Sequence, residues 1–246
     1  MKAILICAGY ATRLYPLTEN QSKCLLPILG KPILNHILDK IDKIKEIDQV
    51  FIISNSKFYN QFTWWVSNQK GFSKEIQIVD EQSTAPENQK GGIYGALEAI
   101  KEHNINDDIL MLFGDNYSSI DLSEFIRFAN QKQTTCLACY QLDNKEGAKK
   151  FGVIETDQNF KILYIEEKPE NPKSNLVATG IYFIKKQDIP KLKQYNKKLD
   201  EAGELNPSKN ITHFIKEIYK DQDIFAFPFK GQWADIGTKE DYEKLK

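Results

Sequence analysis

Apolar positions along the chain gather into short runs separated by longer amphipathic stretches. Ala3–Cys7, Val50–Ser54, Ile76–Asp80, Ile109–Phe113 and Thr135–Gln141 are such runs, several of them rich in Ile or Val. Short, continuously apolar runs predict strands buried on both faces. Between them, Pro32–Ile44 sets Ile33, Leu34, Ile37, Leu38, Ile41 and Ile44 on one stripe at helical spacing, with Pro32 suited to the first turn. Ile93–Ile100 and Leu122–Ala129 read as further helices. Strand and helix in alternation predict an α/β fold with a parallel sheet covered on both faces.

The second half changes texture. Phe151–Thr156, Lys161–Ile165 and Ala178–Ile184 are strand-like runs with turn residues between them, which predicts an antiparallel insertion or sheet extension. Asn210–Tyr219 reads as a helix, Ile224–Pro228 as a last strand, and Thr238–Lys246 as a closing helix capped by Thr238. Glu201–Ser208 holds Gly and Pro and is expected to be a mobile loop. With no repeat, low-complexity tract or linker in view, the 246 residues are expected to form one domain, 1–246.

Charge narrows the partners. Lys and Arg number 33 against 34 Asp and Glu, a net charge of −1. That balance removes the electrostatic case for nucleic acid or an anionic membrane, although a local basic pocket stays open. No apolar run approaches the roughly 20 residues that span a bilayer. The N-terminal run is broken at once by Tyr10-Ala11-Thr12-Arg13, too soon for a signal peptide, so the expected location is the cytoplasm. Cys7, Cys24, Cys136 and Cys139 do not suggest a disulfide framework. Cys136 and Cys139 lie three apart in a strand pattern and so point to opposite faces, with no second pair nearby to complete a zinc site. Reduced core thiols are expected.

The segment from Ala8 to Thr18 follows the first strand, where ligands of open α/β sheets bind. Ala8, Gly9 and Ala11 are small enough for the backbone to approach a phosphate and aim N–H groups at it. Arg13 can grip phosphate oxygens with its fork, and Lys23 adds a second cation. A surface loop with an exposed Arg and Lys is the other reading of the same residues. The segment is neither a P-loop nor a G-x-G-x-x-G turn.

Gly9-Tyr10-Ala11-Thr12-Arg13-Leu14-Tyr15-Pro16-Leu17-Thr18, followed by Lys23 and Leu26-Pro27-Ile28-Leu29-Gly30-Lys31-Pro32, resembles the signature of the sugar-phosphate nucleotidylyltransferases. Within that family the thymidylyltransferases acting on glucose 1-phosphate are the nearest match. The likeness continues along nearly the whole chain. Gly91-Gly92-Ile93-Tyr94-Gly95-Ala96-Leu97 is similar to the family's glycine turn near the base, and Leu112-Phe113-Gly114-Asp115-Asn116 to its G-D motif. Phe151-Gly152-Val153-Ile154 with Asp157 resembles the sugar-side strand, and Glu166-Glu167-Lys168-Pro169 the E-K-P motif. Ser174-Asn175 with Ala178-Thr179-Gly180-Ile181-Tyr182 resembles the next strand, and Trp233-Ala234-Asp235-Ile236-Gly237-Thr238 the W-x-D-x-G-T motif. Three departures stand out. Ala11 replaces a Gly, so a torsion open only to Gly is expected to be lost. Ser22 replaces a Pro, and His213 stands where the family often has an acid.

The resemblance implies a three-layer Rossmann-like nucleotidyltransferase fold, with a mixed, mostly parallel sheet and an antiparallel sugar-side extension. Residues 1–140 would be the nucleotide-binding half and 141–246 the sugar-binding half with the closing helix. The implied reaction joins a nucleoside triphosphate to a sugar 1-phosphate and releases pyrophosphate, with dTTP and glucose 1-phosphate as the first pair. Transfer from UTP or CTP, and phosphocholine as acceptor, are alternatives. Phosphocholine would want an aromatic or acidic box, for which Trp64-Trp65 is the one candidate in the sequence. A different class altogether, an inactive sugar-nucleotide-binding homologue, should have lost a metal ligand or the loop arginine.

By the same resemblance Ile6, Ala8, Gly9, Ala11, Thr12, Arg13 and Gly92 would bind the nucleotide. Lys23, Gly152, Glu167, Lys168 and Thr179 would bind the sugar phosphate, and Asp115 and Asp235 would hold Mg²⁺. Arg13, Lys23, Asp115 and Lys168 form the implied catalytic set: Arg13 on the departing pyrophosphate, Lys23 between nucleotide and acceptor, Lys168 on the acceptor phosphate, with Glu167 on sugar hydroxyls. Pro169 biases Lys168 to extended geometry, and adjacent strand residues face opposite ways. Glu167 and Lys168 therefore reach one ligand only if the backbone bends, and a bend facing Gly152 and Thr179 is expected. No regulatory tail is expected beyond Gly237-Thr238, and homo-oligomerisation stays open. Trp64-Trp65 with Phe58, Tyr59 and Phe62 reads as core or interface, Lys185–Lys198 as a solvated face, and His36 and His103 as residues without a metal role.

Overall fold

Alternate residues of the first apolar run enter two different cores. In the computed structural model, which describes residues 1–203 and 210–246, Lys2–Ile6 forms strand β1. Its Ala3 and Leu5 pack into one core and Ile4 into the other. There follow β2 (Pro27–Ile28), β3 (Lys31–Pro32), α1 (Ile33–Ile41), β4 (Gln49–Ser54), α2 (Tyr59–Asn68), β5 (Glu75–Asp80) and α3 (Gly92–Glu102). The middle of the chain gives β6 (Ile109–Phe113), β7 (Asn116–Ser118), α4 (Leu122–Lys132), β8 (Cys136–Gln141), α5 (Lys145–Ala148), β9 (Gly152–Thr156) and β10 (Ile162–Glu167). β11 (Leu176–Ile184), α6 (Ile189–Glu201), α7 (Ile211–Ile218), β12 (Phe225–Pro228), β13 (Trp233–Asp235) and α8 (Lys239–Glu243) complete it.

The main sheet runs β10-β9-β11-β6-β1-β4-β5, with β8 and β12 branching from β11. β6, β1, β4 and β5 are parallel neighbours. Helices α1, α2 and α4 cover one face, through residues such as Leu34, Phe62 and Phe125. Helices α3, α6 and α7 cover the other, through Ile93, Leu192 and Phe214. The result is a three-layer α/β fold with an antiparallel extension, as the pattern predicts. Cys136 and Cys139 are buried in opposite cores, and all four cysteines are reduced. Among the described residues no helix is long and apolar enough to cross a membrane.

Several local expectations need correction. Pro32 lies just outside α1 and pairs with Pro27 in a two-residue ribbon. The helix stops at Ile41 rather than Ile44; Asp42 caps it with helical backbone, its N–H on the Leu38 carbonyl and its carboxylate accepting the Ser73 N–H and hydroxyl at 2.8 and 2.6 Å. β8 does not join the parallel set directly: β11, buried along almost its whole length, inserts between β6 and β8 and runs antiparallel to both. β12 is not the last strand, since β13 follows and pairs with β7. Trp65 packs into the core, whereas Trp64 is 70% exposed. Of the expected loop Glu201–Ser208, Glu201 ends α6 and residues 204–208 lie outside the described residues.

Candidate functional site

The loop after β1 is fixed by what surrounds it. The Asn55 amide donates to the Ala8 carbonyl at 2.8 Å, and the Tyr10 hydroxyl donates to the Ser83 carbonyl at 2.9 Å. Ala11 starts a tight turn, and its carbonyl accepts the Leu14 N–H at 2.9 Å and the Thr18 hydroxyl at 2.8 Å. Leu14 is buried among Leu26, Ile28, Ile33, Ile236 and Tyr242. That anchor leaves Thr12 and Arg13 exposed on the same turn, with Gly9 also open to solvent. Ala11 takes the left-handed conformation, at φ 49°, which is open to alanine at a cost and so is not lost with the glycine. The two bonds to its carbonyl hold a torsion that glycine would adopt freely. Gly92 opens α3 against β1; a Cβ there would lie 3.4 Å from Ile6 Cγ2 and 3.7 Å from Phe113 Cε1.

The two aspartates meet through strand register. β13 pairs with β7 so that Asp235 stands opposite Asn116, the neighbour of Asp115. Trp233 Nε1 donates to Asn116 Oδ1 at 3.1 Å and steadies this ribbon. Lys23 is buried beneath it, with Nζ 2.7 Å from Asp115 Oδ2 and donating to the Ile236 carbonyl at 2.9 Å. Burial works against the Lys23 charge, but the Asp115 and Asp235 carboxylates outweigh it and raise its pKa. Burial, and then the charge of Asp115, push Asp235 up to about 6 against the pull of Lys23 and Arg13.

Of the two carboxylates only Asp115 is ion-paired, to Lys23; Asp235 forms no ion pair among the described residues, although the charges of Lys23 and Arg13 act on it. That donor set fits a hard divalent cation. Among the described residues no three His, Cys, Asp or Glu side chains gather around one point, so the remaining ligands would be phosphate oxygens and water.

Beyond the aspartates a cavity of about 190 Å³ is lined by Asp115, Asp235, Gly152, Glu167, Lys168 and Thr179, together with Lys150, Tyr182, Asn210 and Thr212. The chain does bend at Lys168, but against the expected geometry. Lys168 is not extended; its φ is 47°, in the left-handed region. Its N–H donates to the Phe151 carbonyl at 2.9 Å, one step past the Glu167–Gly152 pairing, and this bond outweighs the preference set by Pro169. Both side chains therefore serve the same cavity, with Lys168 Nζ 3.7 Å from Glu167 Oε1. Asn210 donates to that oxygen at 3.1 Å. Gly152 leaves little room, since a Cβ there would lie 2.8 Å from Thr212 Cγ2 and 3.1 Å from Glu167 Oε2. The Thr179 hydroxyl donates to the Ala138 carbonyl at 2.9 Å.

Arg13 enters from an adjoining cavity of about 750 Å³, which shares Lys150, Lys168, Trp233 and Asp235 with the first. Ile6, Ala8, Gly9, Ala11, Thr12 and Gly92 line neither cavity and cluster instead around the carboxyl end of β1. Sequence reasoning missed Lys150, Tyr182, Asn210 and Thr212. The Asn-x-Thr spacing before α7, where Asn210 caps the Thr212 N–H, was the available signal for the last two.

A family profile described as nucleotidyl transferase matches residues 2–246. The bifunctional protein GlmU of Methanocaldococcus jannaschii is 32% identical over 239 residues, covering 96% of this chain and 51% of that protein. The glucose-1-phosphate thymidylyltransferase of Neisseria meningitidis is 29% identical over 245 residues, covering 98% of this chain and 79% of that one. The chain thus spans only about half the length of some curated relatives it matches. A UDP-glucose pyrophosphorylase complexed with UDP-glucose superposes with a TM-score of 0.80 at 20% identity, over 99% of this chain and 96% of its own, a likeness of fold.

Proposed function

The chain belongs to the nucleotidyl transferase family, and from that premise we propose that it transfers a nucleotidyl group from a nucleoside triphosphate to a sugar 1-phosphate. The observation that carries this reading is one cavity lined by Asp115, Asp235, Glu167 and Lys168, with Arg13 on the cavity beside it. An acceptor phosphate oxygen attacks the α-phosphorus in line. The new P–O bond forms as the bond to the β-phosphate oxygen breaks, and its electron pair leaves on pyrophosphate. No protein nucleophile is required, so neutralising two anions is the main task.

Asp115 and Asp235 would hold Mg²⁺, which when bound supplies charge neutralisation and orientation of phosphate oxygens. Arg13 holds the departing pyrophosphate with its fork. Lys23 gives two of its three N–H donors to Asp115 and Ile236, leaving one for a phosphate oxygen where nucleotide and acceptor meet. Lys168 takes the acceptor phosphate. Glu167, with one oxygen on Asn210, keeps the other for sugar hydroxyls. In this reading residues 1–140 carry the nucleotide and 141–246 the acceptor, with dTTP and glucose 1-phosphate as the first pair and UTP or CTP next.

A second acceptor class has one observation in its favour. Phe151, Tyr182 and Trp233 line the same cavity as Glu167, the kind of aromatic and acidic wall that suits the quaternary amine of phosphocholine. Pyrophosphate release separates these readings. The protein is mixed with each of the common nucleoside triphosphates against a panel of sugar 1-phosphates and phosphocholine. Release that needs both a triphosphate and a sugar 1-phosphate is expected. Release only with phosphocholine would establish the second acceptor class, and nucleotide-sugar binding without release from any pair would establish an inactive homologue.

A further inference from the structure

β5 ends on Asp80, and Glu81 then turns inward to become 1% exposed, while Gln82 and Thr84 beside it are open to solvent. The Glu81 carboxylate accepts the Ser83 hydroxyl at 2.7 Å, and the Lys90 backbone N–H and ammonium lie close enough to favour its charge. The Ser83 carbonyl accepts the Tyr10 hydroxyl at 2.9 Å and the Ser56 N–H at 2.9 Å. The carboxyl is thus bonded to Ser83, whose carbonyl holds the Tyr10 hydroxyl of the loop after β1, and it lies beside Lys90 on the approach to Gly91-Gly92.

Integrity of the connecting loop does not account for that carboxyl. The outer part of the loop is tied by Asn88, whose Oδ1 accepts the Thr84 and Ala85 N–H groups at 3.0 Å each. Core packing does not account for it either, since burying a carboxyl costs more than burying an apolar side chain of similar size. Glu81 lies instead between the two segments that flank the candidate nucleotide end. Tyr10 follows Gly9 on one wall, and Lys90 precedes the glycine pair on the other.

The geometry points to Glu81 as a positioning residue that holds the Tyr10 loop and the Gly91-Gly92 turn at a fixed separation for the nucleotide, without touching the substrate. This rests on the proposed reading in which Ala8–Arg13 and Gly92 receive the triphosphate. Burial pushes Glu81 up to about 7, while the bonds from Ser83 and Lys90 and the Lys90 charge pull it down. Asp80 adds to the rise, and the charges of Glu81, Asp80 and Glu87 all act on the Tyr10 phenol. Two donors face the Glu81 carboxylate, so its ionised form makes the stronger bonds. The grip therefore tightens as pH rises through about 7.

Steady-state kinetics of the full chain, with its best nucleotide and acceptor pair, test this. Glu81→Ala is expected to raise the nucleotide KM by about tenfold or more, with acceptor KM and kcat within about twofold. Glu81→Gln, which can still accept from Ser83 and Lys90, should recover most of the loss at about pH 6 and less of it at about pH 8, because only the native carboxylate gains charge over that range. Ser83→Ala, which removes one bond while sparing the carboxyl, should give a smaller rise in nucleotide KM and serves where Glu81→Ala does not fold. Folded variants whose nucleotide and acceptor KM rise together, or stay at the wild-type values, overturn the role of Glu81 alone. A wild-type protein that turns over no triphosphate overturns the functional reading and this inference with it.

Discussion

β1, β4 and β5 run parallel with unbroken register, from Lys2↔Gln49 to Ile6↔Ile53 and from Gln49↔Glu75 to Ser54↔Asp80. β9, β10 and β11 meet antiparallel, with shifts between Ile162 and Tyr164 and, against β8, between Ala178 and Tyr182. At the first end the scaffold is regular and the candidate nucleotide residues lie at the end of β1, on the loop beyond it and at the start of α3. At the second the irregularities are themselves the site: Lys168 and Gly180 stand at φ 47° and 74°, and Gly152 fits between Thr212 and Glu167. One end can thus vary by exchanging loops, whereas the other varies only by changing how strands meet.

Asp115 and Asp235 belong to both ends, so their loss should break the distinction altogether. Asp115→Asn or Asp235→Asn is expected to nearly abolish pyrophosphate release with every nucleotide and acceptor while the protein still folds. Full turnover of either variant in excess chelator would contradict the metal assignment. Arg13→Ala should act only through the nucleotide end and lower kcat by about 10²–10³ with every acceptor. A change confined to acceptor KM would place Arg13 at the wrong end.

Lys168→Ala should do the converse. A lost charge-assisted contact costs about 1.5–3 kcal/mol, which corresponds to a rise of about 10- to 100-fold in acceptor KM, with nucleotide KM little changed. The smallest effects come from the same substitution made at each end. A Cβ at Gly95 would lie 2.4 Å from Ile53 Cγ2 in the parallel half, so Gly95→Ala should cost about 1–3 kcal/mol of stability and leave both KM values alone. Gly152→Ala should instead raise acceptor KM more than it lowers melting temperature, since its Cβ would press on Thr212 and Glu167. Matching outcomes for the two glycines, read by melting and by kinetics, would erase the contrast.

The parallel half was the more legible in sequence because periodicity carries its strands and helices. Each expected run there became a strand within a residue or two, and the glycine turn at Gly91-Gly92 opened α3 as expected. The ribbon that joins Asp115 to Asp235 was not visible, because β7 and β13 have three residues each and so short a segment shows no period. Apolar content reports burial and not which neighbour a strand pairs with, so it does not place β8 beyond β11. At Lys168 and Ala11 local residue preferences were overruled by hydrogen bonds that only the folded chain supplies, one to the Phe151 carbonyl and two to the Ala11 carbonyl, from the Leu14 N–H and the Thr18 hydroxyl. Glu81 was overlooked because it sits in a polar stretch, where an acidic residue ordinarily faces water.

If the two ends hold their ligands together, the nucleotidyl group passes directly from one to the other, and the stereochemical course at the α-phosphorus reports that passage. A nucleoside triphosphate carrying sulfur in place of one α-oxygen, in a single configuration, is turned over with the best acceptor, and the configuration of the product diphosphate ester is determined. A single in-line displacement predicts inversion. Retention would mean that the group first becomes attached to the protein, and would contradict the account.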